Sequence, residues 1–316
     1  MVFEHITKII DEAKYIGISA HTNPDGDAIG AMVAMGRFCQ NKGVDYTLLL
    51  EKPTPLMDFF EGEINVSYTT EVLPIIDCFI GLDCGNVDRL VGYKEYFKKV
   101  GTSICIDHHQ TSESYATQNY IQPEASSTSE LVYEYITGTG QPLDEVIAKA
   151  LYMGIVTDTG GFMHQCTSAR THEITAQLMQ YSFDFSTLYY KVLKETTYET
   201  IKLQGIVSTR LEKLTDTGVY FSYLTQEDIE AVHATKDDLS SLVSFLKNIQ
   251  GVECIAFVYP LQTQTYKLSM RANPPYNVAA FCEQFGGGGH QLASGASLNG
   301  DLETVINRLK KAIDAW

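Results

Sequence analysis

Three short apolar runs each end on carboxylate or imidazole side chains, and this constrains the fold more than any other feature. Ile16-Gly-Ile-Ser-Ala20 runs into His21-Thr-Asn-Pro-Asp25-Gly-Asp27. Cys78-Phe-Ile-Gly-Leu82 runs into Asp83, and Ser103-Ile-Cys-Ile106 runs into Asp107-His108-His109. Apolar runs of this length read as strands buried on both faces, as in a parallel sheet. The carboxyl ends of such strands share one edge, and open α/β proteins bind ligands there. One such ending is ordinary; three on one edge imply a shared site. In the first ending, Pro24 and Gly26 are expected to sharpen the turn, since proline fixes φ and glycine relaxes it.

Hydrophobic spacing sets the rest of the first domain. It predicts helices over 3–14, 28–42, 127–137, 144–157 and 170–181, and strands over 15–20, 44–50, 78–82 and 103–106. Residues 51–70 read as loop with a short helix, and 110–124 as polar loop. Ser127-Thr-Ser-Glu130 has capping-box spacing, and Gly160-Gly161 reads as a helix stop beside Asp158. Residues 186–214 are unevenly helical and read as a linker. Beyond it, strands are expected at 217–224, 252–259, 265–271 and 293–298, with helices at 226–232, 237–248, 277–285 and 301–313. The expected class is α/β: a parallel-sheet domain over 1–185, the linker over 186–214 and a smaller α/β domain over 215–316.

Charge narrows the function. The 316 residues hold 23 Lys and Arg against 39 Asp and Glu, a net of −16. Residues 206–316 carry 9 basic and 12 acidic side chains, which leaves −13 for residues 1–205. Such a surface does not bind long nucleic acid. A small anionic substrate remains possible where metal ions neutralise the site. The seven cysteines are scattered with no C-x-x-C pair, which argues for a reducing cytoplasm and against a zinc-thiolate site. The start of the chain does not read as a signal peptide. No apolar run nears the ~20 residues of a membrane span, so no membrane partner is expected.

His21, Asp25, Asp27, Asp83, His108 and Asp158 form a mixed N/O donor set without sulfur. Such sets suit Mn²⁺, Mg²⁺, Fe²⁺ or Co²⁺ better than structural zinc. Six donors, four of them anionic, exceed the needs of one ion. Two ions ~3.5–4 Å apart sharing a carboxylate is an arrangement used for displacement at phosphorus. In the second domain, Gly286-Gly-Gly-Gly-His290 closes a helix and offers backbone N–H groups for an anion nest. Arg271 ends a strand there and suits bidentate phosphate recognition. His5, His164, His172 and His233 lack donor-spaced partners and read as surface or satisfied core histidines.

These motifs, in this order, resemble the DHH phosphoesterase superfamily: His21-x-x-x-Asp25-Gly-Asp27, Asp83, Asp107-His108-His109 and Thr157-Asp158-Thr159-Gly160. Arg271, Asn277-Val278, Gly286–His290 and Ala293-Ser294-Gly295 resemble its DHH-associated C-terminal domain. The two-domain form is similar to the nanoRNase and pAp-phosphatase group. The resemblance implies one metal on His21, Asp25 and Asp83 and a second on Asp27, Asp83, His108 and Asp158. It implies that His109, Arg271 and His290 face the substrate, with the active site in an interdomain cleft. Asp107 and His109 are the catalytic candidates, Asp107 also reading as a group that orients one of the histidines. Asn277, Gly287, Gly288 and Gly289 are further candidate substrate contacts.

The activity it implies is hydrolysis of short oligoribonucleotides or pAp to mononucleotides with two divalent ions, Mn²⁺ first and Mg²⁺ or Co²⁺ as alternatives. A cytoplasmic homodimer is also implied. Arg271-Ala272 and Ala293-Ser294-Gly295 stand where Arg-Ser and Ala-Ala-Gly are usual. These departures bear on substrate choice, with opening of cyclic di-AMP as one alternative. A family II pyrophosphatase would carry a Ser-Arg-Lys signature that is missing here. A nucleotide sensor without catalysis would have lost metal positions, and all are present.

Overall fold

The computed structural model describes residues 2–68, 75–90 and 92–316 and divides into two compact units, Met1–Glu195 and Thr196–Trp316. The first unit opens with α1 (Val2–Glu12), β1 (Tyr15–Ser19), α2 (Gly26–Asn41), β2 (Asp45–Leu50), β3 (Val66–Tyr68) and β4 (Cys78–Leu82). It continues with α3 (Lys94–Lys99), β5 (Thr102–Asp107), β6 (Gln118–Ile121), α4 (Thr128–Gly138), α5 (Glu145–Asp158), α6 (Ala169–Leu178) and α7 (Phe185–Leu193).

Its sheet has the order β3-β2-β1-β4-β5-β6, and every pairing is parallel. Alternate strand residues serve opposite faces. Cys78, Ile80, Leu82, Ile104 and Ile106 pack with α1, α2, α4 and α5, whereas Leu49 and Phe79 pack with Tyr93 and Phe97 on the other side. Both faces are covered, which is why these strands read as continuous apolar runs. The chain runs outward from β1 through β2 to β3, then returns to β4 on the other side of β1. The switch point lies between β1 and β4, where a crevice opens beyond the strand ends.

Close packing of α2 on α5 brings two ends of the chemistry together. A Cβ on Gly30 would collide with the Ala150 carbonyl, and one on Gly154 with the Ser129 side chain. Gly26 has the same role, since a Cβ there would strike Thr157. The sequence expectation for Gly26 is thereby corrected. The left-handed residue of that turn is Asn23, with φ of 51°, and Gly26 is the first residue of α2.

Other differences are local. β3 and β6 lie in stretches expected to be loop, and α3 was not anticipated. The last two residues of the 51–70 loop lie outside the described residues. Among the described residues, no helix is long and apolar enough to cross a membrane.

The second unit contains α8 (Tyr198–Thr209), β7 (Glu212–Lys213), β8 (Val219–Tyr223), α9 (Gln226–Ala231), α10 (Lys236–Ser240) and α11 (Leu242–Lys247). β9 (Cys254–Gln262), β10 (Thr265–Ala272), α12 (Val278–Glu283), β11 (Gly288–His290), β12 (Ala293–Asn299) and α13 (Leu302–Asp314) complete it. Its sheet order is β11-β12-β10-β9-β8-β7, antiparallel except for β8 with β9. α12 and α13 cover one face through Phe281, Leu309 and Ile313. α8 and α11 cover Ile255 and Phe257 on the other. The helix expected over 237–248 is two short helices meeting at Ser241. The unit boundary falls between α7 and α8, inside the stretch 186–214.

Candidate metal centre

His21, Asp83 and Asp107–His109 all leave the carboxyl edge of the first sheet, from β1, β4 and β5. Asp25 caps α2, its Oδ1 accepting from the Asp27 and Ala28 N–H groups at 3.0 and 3.1 Å. Asp27 follows on the first turn, and Asp158 is the last residue of α5. Gly160 and Gly161 stop that helix at φ of 57° and 69°, with the Gly161 N–H on the Val156 carbonyl.

Asp83 lies at the centre. Its Oδ2 is 3.4 Å from His21 Nε2, and its Oδ1 is 3.6 Å from His108 Nε2 and 3.5 Å from His109 Nδ1. The two oxygens of one carboxylate thus face different histidines. Asp83 adopts φ of 51°, an uncommon conformation for a residue with a side chain, immediately past the end of β4. Asp25 Oδ2 stands 3.9 Å from His21 Nε2, and Asp158 Oδ2 stands 3.5 Å from His108 Nε2. Donor atoms of His21, Asp25 and Asp83 fall within 4.8 Å of one another, as do those of Asp27, His108 and Asp158. The two ligand groups implied by the sequence resemblance are therefore each brought together, with Asp83 beside both.

The histidines are oriented as ligands. His21 Nδ1 bonds the Thr22 carbonyl at 2.8 Å, and His108 Nδ1 lies 3.3 Å from the Ala125 carbonyl. A backbone carbonyl accepts from Nδ1–H, which leaves each Nε2 lone pair for a cation. His109 differs: its Nδ1 bonds Asp107 Oδ1 at 2.8 Å, so Nε2 is its free nitrogen. Asp107 is fully buried, and its Oδ1 also accepts from the His108 and His109 N–H groups. Its Oδ1 thus holds the His109 ring and the backbone of both histidines, while its Oδ2 is buried without a hydrogen-bond partner among the described residues. Of the two readings of Asp107, these bonds favour the one in which it orients the histidines.

The N-terminus of α4 was not anticipated as part of the site. Thr128 N–H donates to Asp27 Oδ2 at 2.7 Å, and Ser129 N–H donates to Asp27 Oδ1 at 2.8 Å. The Thr128 hydroxyl donates to Asp83 Oδ1 at 3.0 Å. One helix end thereby fixes two carboxylates, and its dipole favours their charge. The signal was present in the run Ser126-Ser-Thr-Ser129, all four of which are buried. Ser127 does cap Glu130 N–H at 3.0 Å. The return bond of the expected capping box is not made, because Glu130 instead accepts from Ser126 and Thr171.

Electrostatics also call for a cation. Burial raises Asp27 well above the usual carboxylate range, with the Asp83 and Asp158 charges adding to it. Burial likewise pushes Asp158 up to about 6, with His108 opposing and the Asp83 and Asp25 charges adding. Burial also acts to raise Asp83, but the three surrounding histidines outweigh it and hold Asp83 below the usual range. Crowded carboxylates that resist joint ionisation, with imidazole lone pairs between them, match the donor chemistry of divalent metal.

In the second unit, Arg271 is partly buried and donates to the Met270 carbonyl at 2.9 Å, while His290 is exposed at the end of β11. Asn277 caps α12, its Oδ1 accepting from Ala280 N–H at 3.1 Å. The glycines divide. Gly286 N–H bonds the Glu283 carbonyl and Gly287 N–H the Cys282 carbonyl, so both close α12. Gly288 and Gly289 lie in the edge strand β11. Of the four remaining histidines, His164 Nδ1 lies 2.9 Å from the Asp158 carbonyl, and His172 stacks near Phe162.

A parallel sheet with acidic and histidine donors clustered at its switch point is an arrangement suited to holding divalent metal. Residues 15–155 match the DHH family N-terminal domain, and residues 194–316 match the DHHA1 domain. The chain thus carries a DHH-type N-terminal domain followed by a DHHA1 domain. It is 29% identical over 283 residues to the bifunctional oligoribonuclease and PAP phosphatase NrnA of Bacillus subtilis, covering 88% of this chain and 87% of the relative. It is 26% identical over 301 residues to the probable bifunctional oligoribonuclease and PAP phosphatase NrnA of Streptococcus mutans, covering 93% of each. An exopolyphosphatase-related protein from Bacteroides fragilis superposes with a TM-score of 0.87 at 25% identity, covering 99% of this chain and 95% of that one.

Proposed function

We propose that this chain hydrolyses short oligoribonucleotides and pAp to mononucleotides with two divalent ions, Mn²⁺ foremost. One observation carries the reading: the two oxygens of Asp83 face His21 on one side and His108 on the other. His21, Asp25 and Asp83 would hold one ion, and Asp27, Asp83, His108 and Asp158 the second. When bound, the pair supplies Lewis-acid charge for the phosphoryl oxygens and an acidified water at neutral pH.

The protein's own groups do the rest. His109, fixed through Nδ1 by Asp107, offers Nε2 to the substrate phosphate or the leaving oxygen. The hydrogen bond to Asp107 raises the His109 imidazole above its ordinary range, with burial opposing. Thr128 and the α4 N-terminus keep Asp27 and Asp83 aimed inward. Arg271, Gly288, Gly289 and His290, with Asn277 beside them, bind the substrate's phosphates. Gly287 contributes through its lack of a side chain, since a Cβ there would strike the Gly295 carbonyl.

The names of the two NrnA relatives support this substrate class over pyrophosphate. All seven cysteines are free, in keeping with a cytoplasmic enzyme. We also propose a homodimer, for which light scattering at the single-chain mass would be the refutation. The test of function is a kcat/KM panel with Mn²⁺ on pApA, pAp, cyclic di-AMP, a five-mer and a 20-mer. The short linear substrates should turn over fastest and the 20-mer slowest. Inertness toward all the short substrates would defeat the reading.

A further inference from the structure

β10 presents alternate residues to opposite faces of its sheet. Leu268, Met270 and Ala272 are buried in the core with α12 and α13. Lys267, Ser269 and Arg271 point the other way and remain partly accessible. The register sets Ser297, Gly295 and Ala293 of β12 directly opposite these three. It then sets Gly288 and His290 of β11 opposite Gly295 and Ala293. Directly paired residues share a face. Arg271, Ala293 and His290 therefore form one row, and Ser269, Gly295 and Gly288 form the next.

Lys267 starts a row further on but does not stay there. A Cβ on Gly295 would stand 3.2 Å from its Cε and 3.3 Å from its Nζ. The ammonium is thus carried about one row, ~7 Å along the strand, toward Arg271. It lies over a floor without side chains, since Gly288 also has open space where a Cβ would be. Neither Lys267 nor Arg271 makes an ion pair among the described residues. Two uncommitted cations on one sheet face of a chain with net charge −16 make a local field suited to an anion.

We propose that Lys267 is a substrate-binding residue whose ammonium, beside Arg271 and His290 over the Gly288–Gly295 floor, takes the terminal phosphate monoester of the substrate. This rests on the phosphoesterase reading above and deepens it. A monoester carries about −1.5 to −2 charge near pH 7, more than an internal diester, and a compact ammonium favours the greater charge. Gly288 has a matching reason, because a side chain there would occupy the space the phosphate needs; at Gly295 a Cβ would also strike the Leu268 carbonyl at 2.7 Å. The lysine makes this a reader of phosphorylated ends.

The test compares wild type, Lys267→Met and Lys267→Arg on pApA, ApA and ApApA. Dissociation constants are measured by calorimetry in EDTA, and KM with Mn²⁺. Lys267→Met should weaken pApA about ten-fold or more in both Kd and KM, while ApA and ApApA change less than about two-fold. Lys267→Arg should restore most of the loss. An equal loss on all three ligands, or none on pApA, overturns the proposal. If wild type hydrolyses none of them, the proposed function falls, and the metal-free Kd values still decide the role of Lys267.

Discussion

The two units carry their charge in opposite ways. In the first, Asp27, Asp83 and Asp107 are almost wholly buried, and side chains from β1, α2, β4, β5 and α5 meet under the N-terminus of α4. Both oxygens of Asp27 are held by backbone N–H groups, and Asp83 is held by a hydroxyl. In the second, Arg271, Lys267 and His290 reach solvent, and the register of three strands alone arranges them. The first arrangement keeps like charges together and needs cations to do so. The second gathers cations over glycine and needs only an anionic ligand. Damage to the first should appear in metal binding and turnover, and damage to the second in substrate affinity.

Asp83→Ala should break the comparison most severely. Both of the proposed ions would lose a ligand, and kcat should fall by ~10³-fold or more. A near-normal kcat would exclude a bridging role. Thr128→Val removes the hydroxyl on Asp83 and leaves the backbone bonds to Asp27 in place. Its Mn²⁺ affinity, measured by calorimetry, should drop by ~10–100-fold, as for other groups that orient metal ligands. Thr128→Ser should recover it, and an unchanged affinity in the valine variant would make Thr128 merely structural.

Asp238 in the second unit offers a contrast with no bearing on metal. Burial acts to raise its carboxyl, but bonds from Thr197, Thr235 and Thr200 outweigh it and hold Asp238 at about 2. A depressed carboxylate stabilises the fold above its unfolded pKa of about 4 and loses that contribution as pH falls toward 2. Asp238→Asn should cost about 2 kcal/mol near neutrality and progressively less as pH falls through about 2, with Mn²⁺ affinity unchanged. Denaturant melts at several pH values check this, and a cost independent of pH would refute it. Arg271→Ala should be the mildest, raising KM about ten-fold with kcat nearly kept. A loss confined to kcat would mean that Arg271 acts on the transition state alone.

The sequence was most legible where burial and chemistry coincide. β1, β4 and β5 are buried on both faces, so their apolar runs stand out, and each ends on donors the structure gathers. β3 and β6 were missed because short, half-buried edge strands such as Gln118–Ile121 carry no apolar run or alternation. Thr128 was hidden because its role depends on a helix end meeting two distant aspartates, which no local spacing encodes. Lys267 was hidden for a related reason: its reach over Gly295 follows from the pairing of β10 with β12. Gly26 was singled out correctly as a constrained position but for the wrong cause. Its constraint is the approach of Thr157 from α5, 131 residues further along the chain.

The central claim is that Asp83 joins two metal sites. Anomalous diffraction from crystals grown with Mn²⁺ tests it most directly. The account predicts two peaks about 3.5–4 Å apart, one beside His21 and Asp25 and the other beside Asp27, His108 and Asp158, with one Asp83 oxygen on each. A single peak, or two peaks with Asp83 bound to only one of them, would contradict it.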